Sequence, residues 1–217
     1  MTWHQIERAA LAHALREAGP DAPTLCEGWR SRHLAAHVVV RETQPTAAAG
    51  IAVPALAART ERAIQQVAGP ATDPEGYADL VSRVAAGPGR LNPMSWSRIG
   101  EGANLLEFFV HTEDVRRGTG PVEPLPLDQA HVDALWRRLV RSAPLLYRRA
   151  PVGVVLVVPG GPRRAVRRPT GEHGTVVVRG EVAELVLHAF GRGRAARVDV
   201  LGDPDDVAEL ERTTGGP

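Results

Sequence analysis

The sequence predicts a mainly α protein, a helical bundle over residues 1–150 followed by a small α+β domain over 151–217. Two observations carry that reading. Through the first two-thirds of the chain, apolar residues recur at helical spacing in stretches closed by Gly-Pro pairs and lone prolines. Beyond residue 150 the pattern changes to short β-branched runs separated by glycine turns.

The elements follow in order. Residues 2–18 carry an apolar stripe at Trp3, Ile6, Ala10 and Ala14, ended by Gly19-Pro20. Residues 31–43 form a second helix, closed before Pro45. Pro54 suits a first helical turn and Gly69-Pro70 stops a third helix near Ala68. Asp73-Pro74-Glu75 opens a shorter one to about Ala86, and Gly87 through Pro93 reads as loop. A helix over about 100–117 ends on Arg116-Arg117-Gly118, cations that complement its C-terminal dipole. Asp128 caps another, kinked or broken near Pro144. Strands are expected at Val152–Val158, Arg163–Arg168, Val176–Val178 and Arg197–Val200, with Gly160-Gly161 turning between the first two. Residues 181–190 and Asp203–Arg212 complete the pattern as helices.

Composition excludes several classes of function. A formal net charge of +1 creates no field that would recruit nucleic acid or an acidic membrane. Every basic side chain other than histidine is arginine, so Schiff-base and lysine general-base chemistry are absent. A single cysteine, Cys26, allows neither an intrachain disulfide nor a multi-thiolate zinc knuckle. The first residues lack the basic start and apolar run of a signal peptide, and apolar stretches are strand-length. A cytoplasmic protein, monomeric or homodimeric, is expected.

The chemistry concentrates in two helices. Asn104, Glu107, His111 and Asp114 are spaced by three, four and three residues, within an arc of roughly 80° on one helical face. Glu107 and His111 stand one turn apart, and carboxylate oxygen and imidazole nitrogen both suit a borderline divalent metal such as zinc. Phe108, Phe109 and Val110 surround them with apolar bulk, where a polar pair needs a partner or an ion. A third ligand must come from a facing helix, and His37 is the best candidate. It shares an arc of roughly 100° with Leu34, Val38 and Arg41. Taken singly, a core histidine bonded to a neighbour and a surface Glu–His contact explain the same spacings.

Leu25-Cys26-Glu27-Gly28-Trp29, Leu34-Ala35-Ala36-His37 and Glu107-Phe108-Phe109-Val110-His111-Thr112-Glu113-Asp114 together resemble the metal-binding domain of mycothiol-dependent maleylpyruvate isomerases, of actinobacterial type. That domain belongs to the DinB-like four-helix-bundle superfamily. The resemblance implies a divalent metal on His37, Glu107 and His111, with Asp114 supporting the ligands from outside, and mycothiol as the thiol cofactor. It is strongest over the first 120 residues and looser over residues 180–202. One departure stands out: where the family places a capping hydroxyl and an acid at the start of the His-bearing helix, this chain has Arg30 and His33, leaving Ser31 as a displaced cap.

Other constellations are weaker. His33 and His37 are spaced as a clamp, but His33 lies at the margin of the inward arc, where an exposed or capping role is expected. Cys26 reads as a small buried side chain rather than a ligand. Gly191-Arg192-Gly193-Arg194-Ala195-Ala196 mimics a dinucleotide fingerprint but follows a helix instead of opening one. Arg163, Arg164, Arg167 and Arg168 alternate across a strand and read as a solvated hairpin. His4, His13, His131, His173 and His188 are expected at the surface or its boundary, and Trp3, Trp29, Trp96 and Trp136 as core anchors between helices.

Three protein ligands leave coordination positions open, the arrangement of a reactive metal. The expected function is a metal- and mycothiol-dependent transferase or isomerase of a small electrophile, with a thiol and a small-molecule substrate as partners. Arg41 would anchor a carboxylate or enolate, or else pair with a neighbouring acid. The alternatives are a non-catalytic module with a structural or regulatory metal and, more weakly, a metal-dependent hydrolase.

Overall fold

A computed structural model describes residues 2–44, 54–88 and 98–214, with side chains of the last segment described from Asn104 onward. Trp96 and most of the loop expected at 87–93 lie outside the described residues. The helices are α1 (Trp3–Ala18), α2 (Ser31–Thr43), α3 (Ala57–Ala68, after a 3-10 turn at Pro54–Leu56), α4 (Pro74–Ala86), α5 (Arg98–Arg116), α6 (Gln129–Leu146), α7 (Val182–Ala189) and α8 (Pro204–Thr214). The strands are β1 (Gly153–Val157), β2 (Arg163–Arg167), β3 (Thr175–Arg179) and β4 (Asp199–Leu201). Among the described residues, no helix is long and apolar enough to cross a membrane.

The chain divides into two compact units, Met1–Val122 and Glu123–Pro217. The division falls earlier than residue 150, because α6 packs on β2 and α7. Its stripe of Ala134, Leu135, Leu139 and Ala143 is buried as the periodicity requires. Periodicity announces an apolar face without saying which layer covers it. Pro144 does not break α6 where it stands; the helix runs two residues further and closes with the Tyr147 amide on the Ala143 carbonyl.

In the first unit, α2 is enclosed by α1, α3 and α4, and every residue from Leu34 to Val40 is buried. Three consecutive valines, Val38, Val39 and Val40, are modest helix formers, and burial on all sides outweighs that propensity. The start of α4 is set by Asp73, whose carboxylate accepts from the Glu75 and Gly76 amides at 3.0 and 2.9 Å, with Pro74 at the first position. Trp29 packs half-buried against this core, and Trp3 and Trp136 are likewise half-buried; none of these is fully enclosed as an anchor would be.

The loop between α1 and α2 is laid against the end of α5. The Leu25 amide donates to the Asp114 carbonyl at 3.0 Å. Gly118 lies so near that loop that a Cβ there would stand 1.9 Å from the Pro23 carbonyl oxygen. Gly118→Ala is therefore expected to lift the loop and cost about 1–3 kcal/mol, read as a lower denaturant midpoint.

In the second unit the sheet order is β2-β1-β3-β4, with β1 antiparallel to β2, parallel to β3, and β3 antiparallel to β4. Val154 and Leu156 on β1 and Val176 and Val178 on β3 are buried in period-two alternation. Gly160, at φ 67°, makes the turn into β2. Arg163 and Arg164 are exposed on that edge strand, where charge discourages pairing with another chain. Asp206 of α8 accepts from the Gly174 amide at 2.9 Å, tying the helix to the start of β3.

Two histidines expected near the surface are buried, His131 and His188, because each lies on the covered face of its helix. His188 Nδ1 and the Tyr147 hydroxyl are 2.8 Å apart, and burial pushes His188 down to about 4. The unfolded chain binds a proton near pH 6.5 that the folded chain refuses, so folding is unaffected above that pH and weakens as pH falls towards 4. The expected loss is about 3 kcal/mol, and His188→Gln should flatten that part of the stability profile.

Candidate metal centre

The candidate centre lies where α2 faces α5. Helical spacing carries Glu107 and His111 on one turn of α5, and α2 presents His37 opposite them. His37 Nε2 is 3.6 Å from Glu107 Oε1, and His111 Nε2 is 3.8 Å from the same oxygen. The two imidazoles meet edge to face, with centroids 5.2 Å apart. One donor atom from each of the three residues lies within 4.8 Å of the others. Both histidines are buried, and Glu107 keeps a 23% exposed side chain.

These donors fit a divalent cation. Bonds of about 2.0–2.2 Å to nitrogen and oxygen place ligand atoms of a tetrahedral ion roughly 3.5 Å apart, close to the spacings found. His111 turns its other nitrogen, Nδ1, to Asp114 Oδ2 at 2.9 Å, which fixes the ring and aims Nε2 at the cluster. Asp114 is wholly buried. Asp114→Asn is accordingly expected to weaken metal binding by about 10- to 100-fold, measured against a competing chelator.

Electrostatics run the same way. Burial alone would raise Glu107, but hydrogen bonds from His111 and His37 and the charge of Arg41 hold it well below the usual carboxylate range. Burial keeps His37 below the ordinary histidine value against the pull of Glu107. Burial would also lower His111, yet bonding to Asp114, Cys26 and Glu107 raises it well above that value. The acceptors around His111 therefore favour positive charge on that side of the cluster, while burial disfavours it at His37.

The remaining residues take definite places. Arg41 gives one terminal nitrogen to Glu107 Oε2 and the other to Asn104 Oδ1 at 3.0 Å. Cys26 donates its thiol to Asp114 Oδ2 at 3.3 Å, and with His111 and Asp114 it makes a second group of donors within 4.8 Å. Trp29 stacks at a tilt beside His37, 5.2 Å between centroids. His33 does not approach the cluster; its Nδ1 accepts from the Arg30 amide at 3.0 Å, so it closes the first turn of α2. Ser31 is not the cap expected of it: its hydroxyl donates to the Ala22 carbonyl at 3.2 Å, while Arg30 holds the cap position. Arg8 and Glu42, which join Arg41 behind the cluster, carry no local sequence signal, because 34 residues separate them.

Comparison with known proteins bears on the fold and the family of the chain. Two solved structures align with the chain, both described as mycothiol-dependent maleylpyruvate isomerase, the second a histidine-to-alanine mutant. The first has a TM-score of 0.55 and 18% identity, covering 91% of this chain and 90% of that one. The second has a TM-score of 0.51 with the same identity and coverage. At such identity the likeness establishes the fold, including the second unit. No curated protein matches the chain. The model of the family described as mycothiol maleylpyruvate isomerase N-terminal domain matches residues 5–116, more than half of the sequence and the span that holds every residue of the cluster. The chain belongs to that family.

Proposed function

We propose that the protein is a metal- and mycothiol-dependent transferase or isomerase of a small electrophile, working in the cytoplasm, where low-molecular-weight thiols stay reduced. The observation that carries this reading is the convergence of His37, Glu107 and His111 on one point from two helices. A divalent ion there, zinc by the chemistry of its donors, supplies a Lewis acid that stabilises the thiolate form of a thiol. Asp114 orients His111, burial keeps His37 neutral and able to ligate, and Trp29 offers an aromatic wall beside it. His37, Glu107 and His111 would hold such an ion through three protein donors, which would leave room for a sulfur ligand.

The test is titration of the metal-loaded protein with mycothiol, followed by calorimetry. Saturable binding that disappears when the metal is chelated supports the reading. Metal binding without thiol binding would favour the non-catalytic module, in which case chelation should unfold the protein.

A further inference from the structure

Behind the three donors lies a chain of partly buried charge that the proposed function does not use. Glu107 divides its oxygens: Oε1 faces both imidazole nitrogens, while Oε2 is taken by the Arg41 guanidinium. Arg41 is held in turn by Asn104 at 3.0 Å and stands 3.8 Å from Glu42 Oε1. Glu42 forms a forked pair with Arg8, whose other contact is the Val84 carbonyl at 2.8 Å. Arg8 and Arg41 both lie over the Phe108 ring, at 4.6 and 5.4 Å. The Arg41 Nε is buried and finds no partner among the described residues, so the side chain is placed for its terminal nitrogens and not for its own best hydrogen bonding.

We infer that Arg41 is a positioning residue that restricts Glu107 to ligation through one oxygen and cancels its charge, so that the centre accepts an anionic sulfur ligand. This rests on the metal reading above and deepens it. The argument is one of oxygens and charges. A carboxylate with both oxygens free can grip an ion with two, filling a position that a substrate needs. Here Oε2 lies in a charge-assisted bond to a guanidinium. Arg8 answers Glu42 and Arg41 answers Glu107, so the two pairs are neutral as a set. A divalent ion joined to two neutral imidazoles and a neutralised carboxylate keeps more of its positive charge than one facing a bare carboxylate. That surplus favours a thiolate over water or a neutral thiol. It also gives Arg41 work without contact with a substrate carboxylate.

Cobalt(II) substitution tests this without reference to turnover. In wild type the visible bands should have the high intensity of four-coordination, and 2-mercaptoethanol should add a sulfur-to-cobalt charge-transfer band. Arg41→Met should keep a folded circular-dichroism spectrum and bind cobalt. Its visible bands should weaken as the coordination number rises, and its thiol affinity should fall at least about tenfold. Arg41→Lys, which restores the charge and one donor to Oε2, should recover most of both signals. Wild-type bands and thiol affinity in Arg41→Met would overturn the inference and leave the metal reading standing. If Arg41→Met does not fold, Arg41→Lys decides: near-wild-type signals support the proposal, and signals no better than those of Glu107→Gln overturn it. Cobalt binding that survives His37→Ala and His111→Ala unchanged would overturn the metal reading and this inference with it.

Discussion

Replacement of His111 by alanine is expected to reduce bound metal from one equivalent to nearly none. The residue is a donor in its own right, and it links Asp114 to the cluster through its second nitrogen. Loss of an outer partner alone weakens a metal site about 10- to 100-fold, so loss of this ring should weaken it by more than about 100-fold. His37→Ala should act alike, since it removes the only donor that α2 contributes to the three-residue group. Glu107→Gln should fall between loss of an outer partner and loss of a histidine, because an amide oxygen remains while the charge facing the ion is lost. Elemental analysis after gel filtration, with chelator competition, gives both stoichiometry and rank order. The fold should survive all three changes, as the core of the first unit lies in Leu11, Leu15, Leu34, Val38, Leu80 and their neighbours.

Phe108→Ala should produce the largest loss of stability in the first unit, about 3–5 kcal/mol. The ring is fully buried and belongs to the core cluster. It also supports two guanidinium groups, Arg8 and Arg41, on its face, each contact worth about 0.5–2 kcal/mol. Removing it leaves a cavity and unseats the charges that hold Glu107. Since whole-protein stabilities run about 5–15 kcal/mol, the denaturant midpoint should drop by a large fraction. A shift below about 1 kcal/mol would show that the arginines and core close over the gap.

Element type and the placing of the candidate donors were legible in the sequence to different degrees, and the residues show why. Helix boundaries at Ser31–Thr43 and Pro74–Ala86 were legible because capping and stop signals are local: Asp73 before Pro74, and Gly87 after the last turn. Glu107, His111 and Asp114 were legible for the same reason, since one helix sets their spacing. His37 was reached by a weaker route. Leu34 and Val38 marked an inward arc, yet α2 is buried from Leu34 to Val40, so the arc did not single out one side. The family pattern carried that residue further than the helical wheel did.

What was not legible was long-range. No spacing rule joins Arg8 to Glu42 or Cys26 to Asp114, because loop and bundle topology bring them together. The Arg30–His33 cap replaced the hydroxyl cap assigned to Ser31, since an imidazole nitrogen can accept an amide proton as a carboxylate does. His131 and His188 looked unpartnered in the sequence, and tertiary packing buried both. The assignment of α6 to the second unit followed from a sheet that periodicity could not place beside it.

The central claim is that the metal sits among His37, Glu107 and His111, and X-ray absorption at the metal edge tests it most directly. In protein freed of added thiol, the account predicts a nitrogen and oxygen shell at about 2.0–2.1 Å with outer scattering from two imidazoles. A sulfur at about 2.3 Å in that sample would place the ion on the competing group of Cys26, His111 and Asp114, and would contradict the account.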